Sequence, residues 1–221
     1  MKILAIDTTN IRPSVCLFDG AKILSLKIIE QASKPAELLI PCIEEVLSEN
    51  NIWYQDLAAV GVCKGPASFT SVRIGLSCVK TLSLAVKIPF YSFDSLLAIA
   101  NKYRDFDTKI LVAMDAKMNE FFVGEFLAKN GVISVISESK LMSLSELENL
   151  DLSGDFMICG SGKSVVEKVC GRARLSDGRD EISADSLALM THEACFDDEK
   201  IEDEELKALY LRDPKISERK K

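Results

Sequence analysis

The chain has 221 residues, 48% of them hydrophobic, and 27 basic against 34 acidic residues give a net charge of −7. That length buries a substantial core, in one large domain or two small ones. The acidic balance argues against independent binding of nucleic acid, because phosphate contacts need clustered Lys and Arg.

Residues 2–8 read as a buried strand closed by Asp7. Asp7 also cuts the apolar start short of a signal-peptide core. No apolar run reaches membrane-spanning length, so a cytoplasmic protein with no membrane partner is expected. Strands at 14–18 and 22–29 follow, joined at the hairpin signal Asp19-Gly20. Residues 36–50 form a helix with Leu38, Leu39, Cys42, Ile43, Val46 and Leu47 on one face. A strand over 57–63 leads through Lys64-Gly65-Pro66 into a long helix at 68–86. Its apolar positions Phe69, Val72, Leu76, Val79, Leu82 and Val86 step by threes and fours. Gly75 and Ser77 thin the opposite flank, which suits close approach of another helix. Residues 94–103 form a third helix.

A second unit opens near Asp107. Strands near 109–114, 119–127 and 131–138 repeat the three-strand start. A short helix near 143–149, a strand at 155–159, the turn Gly160-Ser161-Gly162 and helices over 163–170 and 183–195 follow. The acidic run from Asp197 to Glu205 reads as a solvated hinge or helix face, and 217–221 as a frayed tail. Three antiparallel strands followed by helix, strand and helix is the order of a ribonuclease H-like unit. Two such units, the second shortened, predict an α/β fold of the actin-like ATPase superfamily. The expected subdomains are 1–106 and 107–221, with the region from about 205 to 221 packing back on the first.

Asp7 and Asp115, each near the end of a half's first strand, are the candidate pair of carboxylates for a magnesium-bound nucleotide, with Thr8 and Thr9 as hydroxyl donors. The competing reading has Asp7 capping a turn through neighbouring N–H groups, since residues 8–13 contain no glycine. Gly65 and Ser68 open a strand–turn–helix junction suited to an anion, or form a plain connection. Gly160 and Gly162 are read in the same two ways. His192 is the one histidine, so no two-histidine metal helix and no Ser-His-Asp or Cys-His nucleophile is expected. Seven scattered cysteines with no Cys-x-x-Cys read as small buried hydrophobes.

The segment Lys64-Gly65-Pro66-Ala67-Ser68-Phe69-Thr70-Ser71-Val72-Arg73-Ile74-Gly75 resembles the Gly-Pro-Gly-Ser-Phe-Thr-Gly-x-Arg-Ile-Gly signature of the TsaB (YeaZ) family. Leu4-Ala5-Ile6-Asp7-Thr8-Thr9 is similar to the family's first strand and its Asp-Thr-Ser/Thr turn. The run from Val112 to Phe122 is similar to its Asp-Ala-Arg-x-x-Glu-Val-Tyr strand pair, and Leu209-Tyr210-Leu211-Arg212 to its closing Tyr-Leu-Arg. Ala67 and Ser71 stand where the family has glycines, Lys117 where it has Arg, and Lys34-Pro35 where many members carry a His.

The resemblance implies a non-catalytic scaffold in the formation of threonylcarbamoyladenosine at position 37 of tRNAs reading codons that start with A. TsaD would transfer the group, TsaE would assist, and tRNA would be met only through the complex. The resemblance places the TsaD-docking surface on helices 36–50 and 68–86, and we read Leu39, Ile43, Val72, Gly75, Leu76 and Val79 as its contacts. The same surface would form a homodimer when TsaD is absent. TsaD's own His-x-x-x-His metal pair has no counterpart beside His192. No cofactor is required on this reading, beyond weak ATP or ADP with Mg²⁺ at the complex interface. The alternative is a small-molecule kinase or ATPase of the actin-like class, using Asp7 and Asp115.

Overall fold

The computed structural model describes residues 1–20, 22–30, 35–150, 156–170, 174–178, 180–196 and 207–212. Strands β1 (Lys2–Asp7), β2 (Ser14–Asp19) and β3 (Lys22–Ile28) form an antiparallel run. Helix α1 (Pro35–Glu49), strand β4 (Ala59–Gly65), helix α2 (Phe69–Val86), strand β5 (Phe90–Asp94) and helix α3 (Ser95–Asn101) complete the first set. The second set is β6 (Lys109–Lys117), β7 (Glu120–Lys129), β8 (Val132–Ser143), α4 (Leu144–Glu148), β9 (Phe156–Cys159), α5 (Lys163–Cys170), β10 (Arg174–Leu175) and α6 (Ala184–Ala194).

The strands make two five-stranded sheets, ordered β3-β2-β1-β4-β5 and β10-β9-β6-β7-β8. In each, the central strand pairs antiparallel on one side and parallel on the other. A strand covered on both faces is apolar at successive positions, and β1 shows this directly. Ile3 and Ala5 enter a core shared by the two sheets, while Leu4 and Ile6 enter an outer core under α1 and α2. In β6, Ile110 and Val112 join the shared core, and Leu111 and Ala113 face an outer core with Val166 of α5. The molecule is therefore layered: α1 and α2, first sheet, α3 with α6, second sheet, α4 and α5.

The middle layer revises the expected division. Helix α3 comes from the first half yet packs on β6, β7 and β8. Helix α6 comes from the second half yet packs on β1, β2 and β4. A boundary at 106/107 thus fails for residues 184–194, whose Leu187, Ala188 and Met190 help cover the first sheet. Strand β5 was not expected. Its Phe90, Tyr91 and Ser92 are buried in succession, so it shows no alternation to read. Strand β4 starts later than residue 57, and β6 and β8 run on to Lys117 and Ser143. The acidic run 197–205, the tail 217–221 and Lys34 lie outside the described residues.

Helix α2 also corrects the expectation about apolar runs. Among the described residues it is the one helix long and apolar enough, by length and composition, to cross a membrane. Here it packs on β4 through Val72, Leu76 and Val79.

Candidate functional site

Strands β1, β4, β6 and β9 all end at a cleft of about 590 Å³ between the two halves. Ligand crevices in open α/β sheets form at such carboxyl ends. The walls come from Thr9 and Asn10 after β1, Pro66 to Phe69 after β4, Met114 to Met118 at the end of β6, and Ser161 after β9. Residues 180–182 and 209–212 close the remaining sides.

The first wall is tied off by its own bonds. Asp7 is fully buried and does not line the cleft. Its Oδ1 accepts from the Thr9 backbone N–H at 2.9 Å and the Thr9 hydroxyl at 2.6 Å, the geometry of a turn cap. Its Oδ2 is buried with no hydrogen-bond partner among the described residues. Burial raises the Asp7 carboxyl, opposed by the Thr9 bonds and the charge of Lys102. The Thr8 hydroxyl is spent on the Ser71 carbonyl at 2.6 Å.

Gly65 holds φ +97°, and a Cβ there would meet the Leu209 carbonyl oxygen at 3.0 Å, so this turn requires glycine. Ser68 sits at the N-cap of α2, but its side chain makes no capping bond; its carbonyl accepts from Val72 N–H at 3.0 Å.

The second wall is likewise self-satisfied. Gly160 (φ +96°) gives its N–H to Asp180 Oδ1 at 2.9 Å, and Gly162 gives its N–H to the Ala113 carbonyl at 2.8 Å. Asp180 also takes the Ser176 hydroxyl at 2.5 Å and an ion pair from Lys163. Burial pushes the Asp180 carboxyl up, and the bonds from Lys163, Ser176 and Gly160 outweigh it, leaving the group below its ordinary value. This Lys163–Asp180 centre was not foreseen, because its members share no spacing signature.

Asp115 is not the mate of Asp7. Ile3, Ala5 and Asp7 alternate onto the inner face of β1, and Ile110, Val112 and Met114 do so on β6. Met114 therefore stands where the second half's carboxylate was expected. Asp115 lies at the exposed rim, bonded to the Lys117 side chain at 2.8 Å and its N–H at 2.7 Å. Those bonds hold its carboxyl below the ordinary value. The Thr8 and Thr9 hydroxyls and the Gly160 and Gly162 N–H groups are spent inside the chain and Asp7 is off the wall, so the expected Asp7–Asp115 magnesium pair is not formed, and Ser68 and the rim carboxylate of Asp115 remain on the cleft lining. Among the described residues no group of three or more His, Cys, Asp or Glu could hold a metal.

Of the six residues expected to touch a partner, five are closed off inside the fold, and Leu76, at 7% exposed, only borders a groove beside α2. Leu39, Ile43, Val72, Gly75, Leu76 and Val79 are all buried, five of them in the outer core. A stripe stepping by threes and fours is the stripe that faces the sheet. A Cβ at Gly75 would lie 2.6 Å from Thr8 Oγ1, so the missing side chain admits the end of β1, not a second helix. The exposed face of α2 is carried instead by Phe69, Thr70, Arg73, Ser77, Lys80, Thr81 and Leu84.

A family model described as TsaD, tRNA N6-adenosine threonylcarbamoyltransferase, matches residues 23–208. The tRNA threonylcarbamoyladenosine biosynthesis protein TsaB of Bacillus subtilis (strain 168) is 32% identical over 151 residues, 68% of this chain and 66% of that protein. The TsaB of Buchnera aphidicola subsp. Schizaphis graminum is 31% identical over 172 residues, 75% of this chain and 81% of that protein. The chain belongs to the TsaB family. The solved YeaZ of Pseudomonas aeruginosa superposes with a TM-score of 0.79 at 25% identity, covering 95% of this chain and 99% of that one. TsaB membership places the chain in tRNA threonylcarbamoyladenosine biosynthesis. The two-sheet α/β architecture is that of the solved YeaZ proteins.

Proposed function

We propose that this chain is a non-catalytic scaffold that docks TsaD, which transfers the threonylcarbamoyl group to N6 of adenosine 37 in tRNAs reading ANN codons, with TsaE as the third component. One observation carries the docking reading. Helix α2 is apolar enough to cross a membrane, yet only Val72, Gly75, Leu76 and Val79 of its 18 residues are buried. Leu84 is 61% exposed and Phe69 39% exposed on α2, and Ile40 is 43% exposed on the neighbouring α1. These exposed apolar side chains on an otherwise apolar helix are what a partner could cover. Helix α2 contains Arg73 and Lys80 and no acid, in a chain of net charge −7. A partner face with carboxylates against α2 would complement it.

The engaged donors of the cleft support the non-catalytic part. They weigh against the kinase or ATPase alternative, which needs Asp7 on the cleft wall. We place a nucleotide with Mg²⁺ at the boundary with TsaD, where the partner would supply donors. The acidic balance supports tRNA contact through the complex, and the same α2 face serves a homodimer in TsaD's absence.

The test is co-elution of the organism's own TsaD with wild-type protein and with Leu84→Glu, alongside threonylcarbamoyladenosine levels in cells carrying each. Leu84 is exposed, so the variant keeps its thermal midpoint while losing TsaD and the modification. Full TsaD capture and full modification by Leu84→Glu would sink the reading.

A further inference from the structure

We propose that residues 207–212 form a clasp that transmits occupancy of the α2 face to the far wall of the cleft. The proposal rests on the reading that α2 takes a partner. At its first end the clasp holds the β4–α2 junction. Leu209 N–H donates to the Lys64 carbonyl at 2.8 Å. The Tyr210 ring stacks on Phe69 at 4.9 Å between centroids, and its hydroxyl accepts from Arg73 Nε at 3.0 Å. The Arg73 guanidinium lies 3.7 Å from the Phe69 ring centre, on the exposed face of α2. A groove of about 430 Å³ runs between α2 and the clasp, lined by Arg73, Leu76, Ser77, Lys207, Ala208 and Tyr210.

At the other end the clasp holds the β6–β7 turn across the cleft. Arg212 Nη1 donates to the Ala116 carbonyl at 2.9 Å, and Nη2 donates to the Lys117 carbonyl at 3.2 Å and pairs with Glu120. Lys117, Met118 and Asn119 have φ of +67°, +60° and +57°, three successive side-chain-bearing residues in the left-handed region. Such backbone persists only where its surroundings over-determine it. Asp115 fixes the turn from within through Lys117 N–H, and Arg212 fixes it from the clasp. The turn carries Lys117 and Met118 onto the cleft wall. Leu211, between the two anchors, packs on the shared core. A partner group entering the α2 groove therefore meets Tyr210 directly, and Arg212 is two residues away on the strained turn.

Amide hydrogen exchange tests this on the full chain. In Arg212→Ala, the amides of 116–120 and of Leu209 exchange about tenfold faster than in wild type, while β1 and β4 are unchanged. Arg212→Lys, which keeps the charge but loses the planar fork, behaves like Arg212→Ala at the turn and serves if the alanine variant fails to fold. Adding TsaD to wild type protects α2 and shifts exchange at 116–120. Adding it to the Arg212 variant protects α2 and leaves 116–120 unmoved. Protection of α2 in wild type with no change at 116–120 overturns the clasp and leaves the docking reading standing. No protection of α2 removes the docking reading and, with it, the transmission. Wild-type exchange at 116–120 in both Arg212 variants also overturns the clasp.

Discussion

Gly75 of α2 and Thr8 at the end of β1 are packed so closely that a Cβ on Gly75 would fall 2.6 Å from the Thr8 hydroxyl oxygen. That hydroxyl is bonded to the Ser71 carbonyl one turn earlier in α2. The pair seats the helix on the strand end and sets the height of the first cleft wall. Gly75→Ala is thus expected to act on stability, because the Thr8 hydroxyl is pinned by its bond to Ser71 and can move away only by breaking it. Overpacking of this kind costs roughly 1–3 kcal/mol. Urea unfolding of Gly75→Ala should show a lower midpoint with an unchanged slope. Thr8→Ala in the same background removes the clashing oxygen, so the two substitutions together should cost less than the sum of their separate losses. An unchanged midpoint in Gly75→Ala would mean the contact is not tight.

Asp7 predicts an unusual pH dependence. Burial raises its folded carboxyl above the unfolded value of 3.8, against the opposing bonds from Thr9. The folded state then binds the proton more tightly than the unfolded state. Its contribution is fully favourable below the unfolded value and is lost as pH rises through the folded value. Asp7→Asn cannot ionise. The difference in stability, Asn variant minus wild type, should therefore grow in the variant's favour as pH rises above about 4 and then level off. Thermal midpoints across that range measure it, and a difference that is flat or of opposite slope refutes the assignment.

The Lys163–Asp180 centre predicts the reverse sign. Asp180 is held below its ordinary value, so its stabilisation is present above the unfolded pKa and is lost as pH falls through the folded one. Both side chains are mostly shielded, at 21% and 14% exposed. Asp180→Asn leaves Lys163 without its ion pair and should cost roughly 2–4 kcal/mol at neutral pH. The Gly160 turn, whose N–H rests on Asp180, should exchange faster in the same variant. Loss of less than about 1 kcal/mol, as for a surface pair, would show that solvent screens the contact.

The layers of the fold were readable because β1, α1 and α2 carry their own periodicity. Leu4 and Ile6 against Ile3 and Ala5, and Leu39 with Ile43 against exposed Glu44, follow from alternation and from the 3.6-residue turn. The same periodicity was misread at Val72 and Val79, where a core stripe was given to a partner. It was also miscounted at Asp115, one position past the inner face held by Met114. Strand β5 hid because its burial does not alternate. The crossing of α3 and α6 was out of reach, since nothing local in Ala184–Ala194 says which sheet it covers. Arg212 with Glu120, 92 residues apart, and Lys163 with Asp180 depend on chain reversal that no spacing encodes.

Lys80 offers a test of the α2 face by rate. It is exposed in the middle of a helix whose charges are both positive. A charge at the rim of a protein contact acts mainly on the speed of encounter and on its salt dependence, and much less on dissociation. Lys80→Glu should slow association with TsaD by about threefold to tenfold at low salt. The gap should shrink as ionic strength rises, because the Debye length falls to about 8 Å at 0.15 M. The dissociation rate should stay near wild type. Surface plasmon resonance at two salt concentrations separates the outcomes. Equal association rates for Lys80→Glu and wild type at low salt would place the partner on another face, with the buried stripe of Val72, Leu76 and Val79 serving the core and α2's outer surface left without its proposed role.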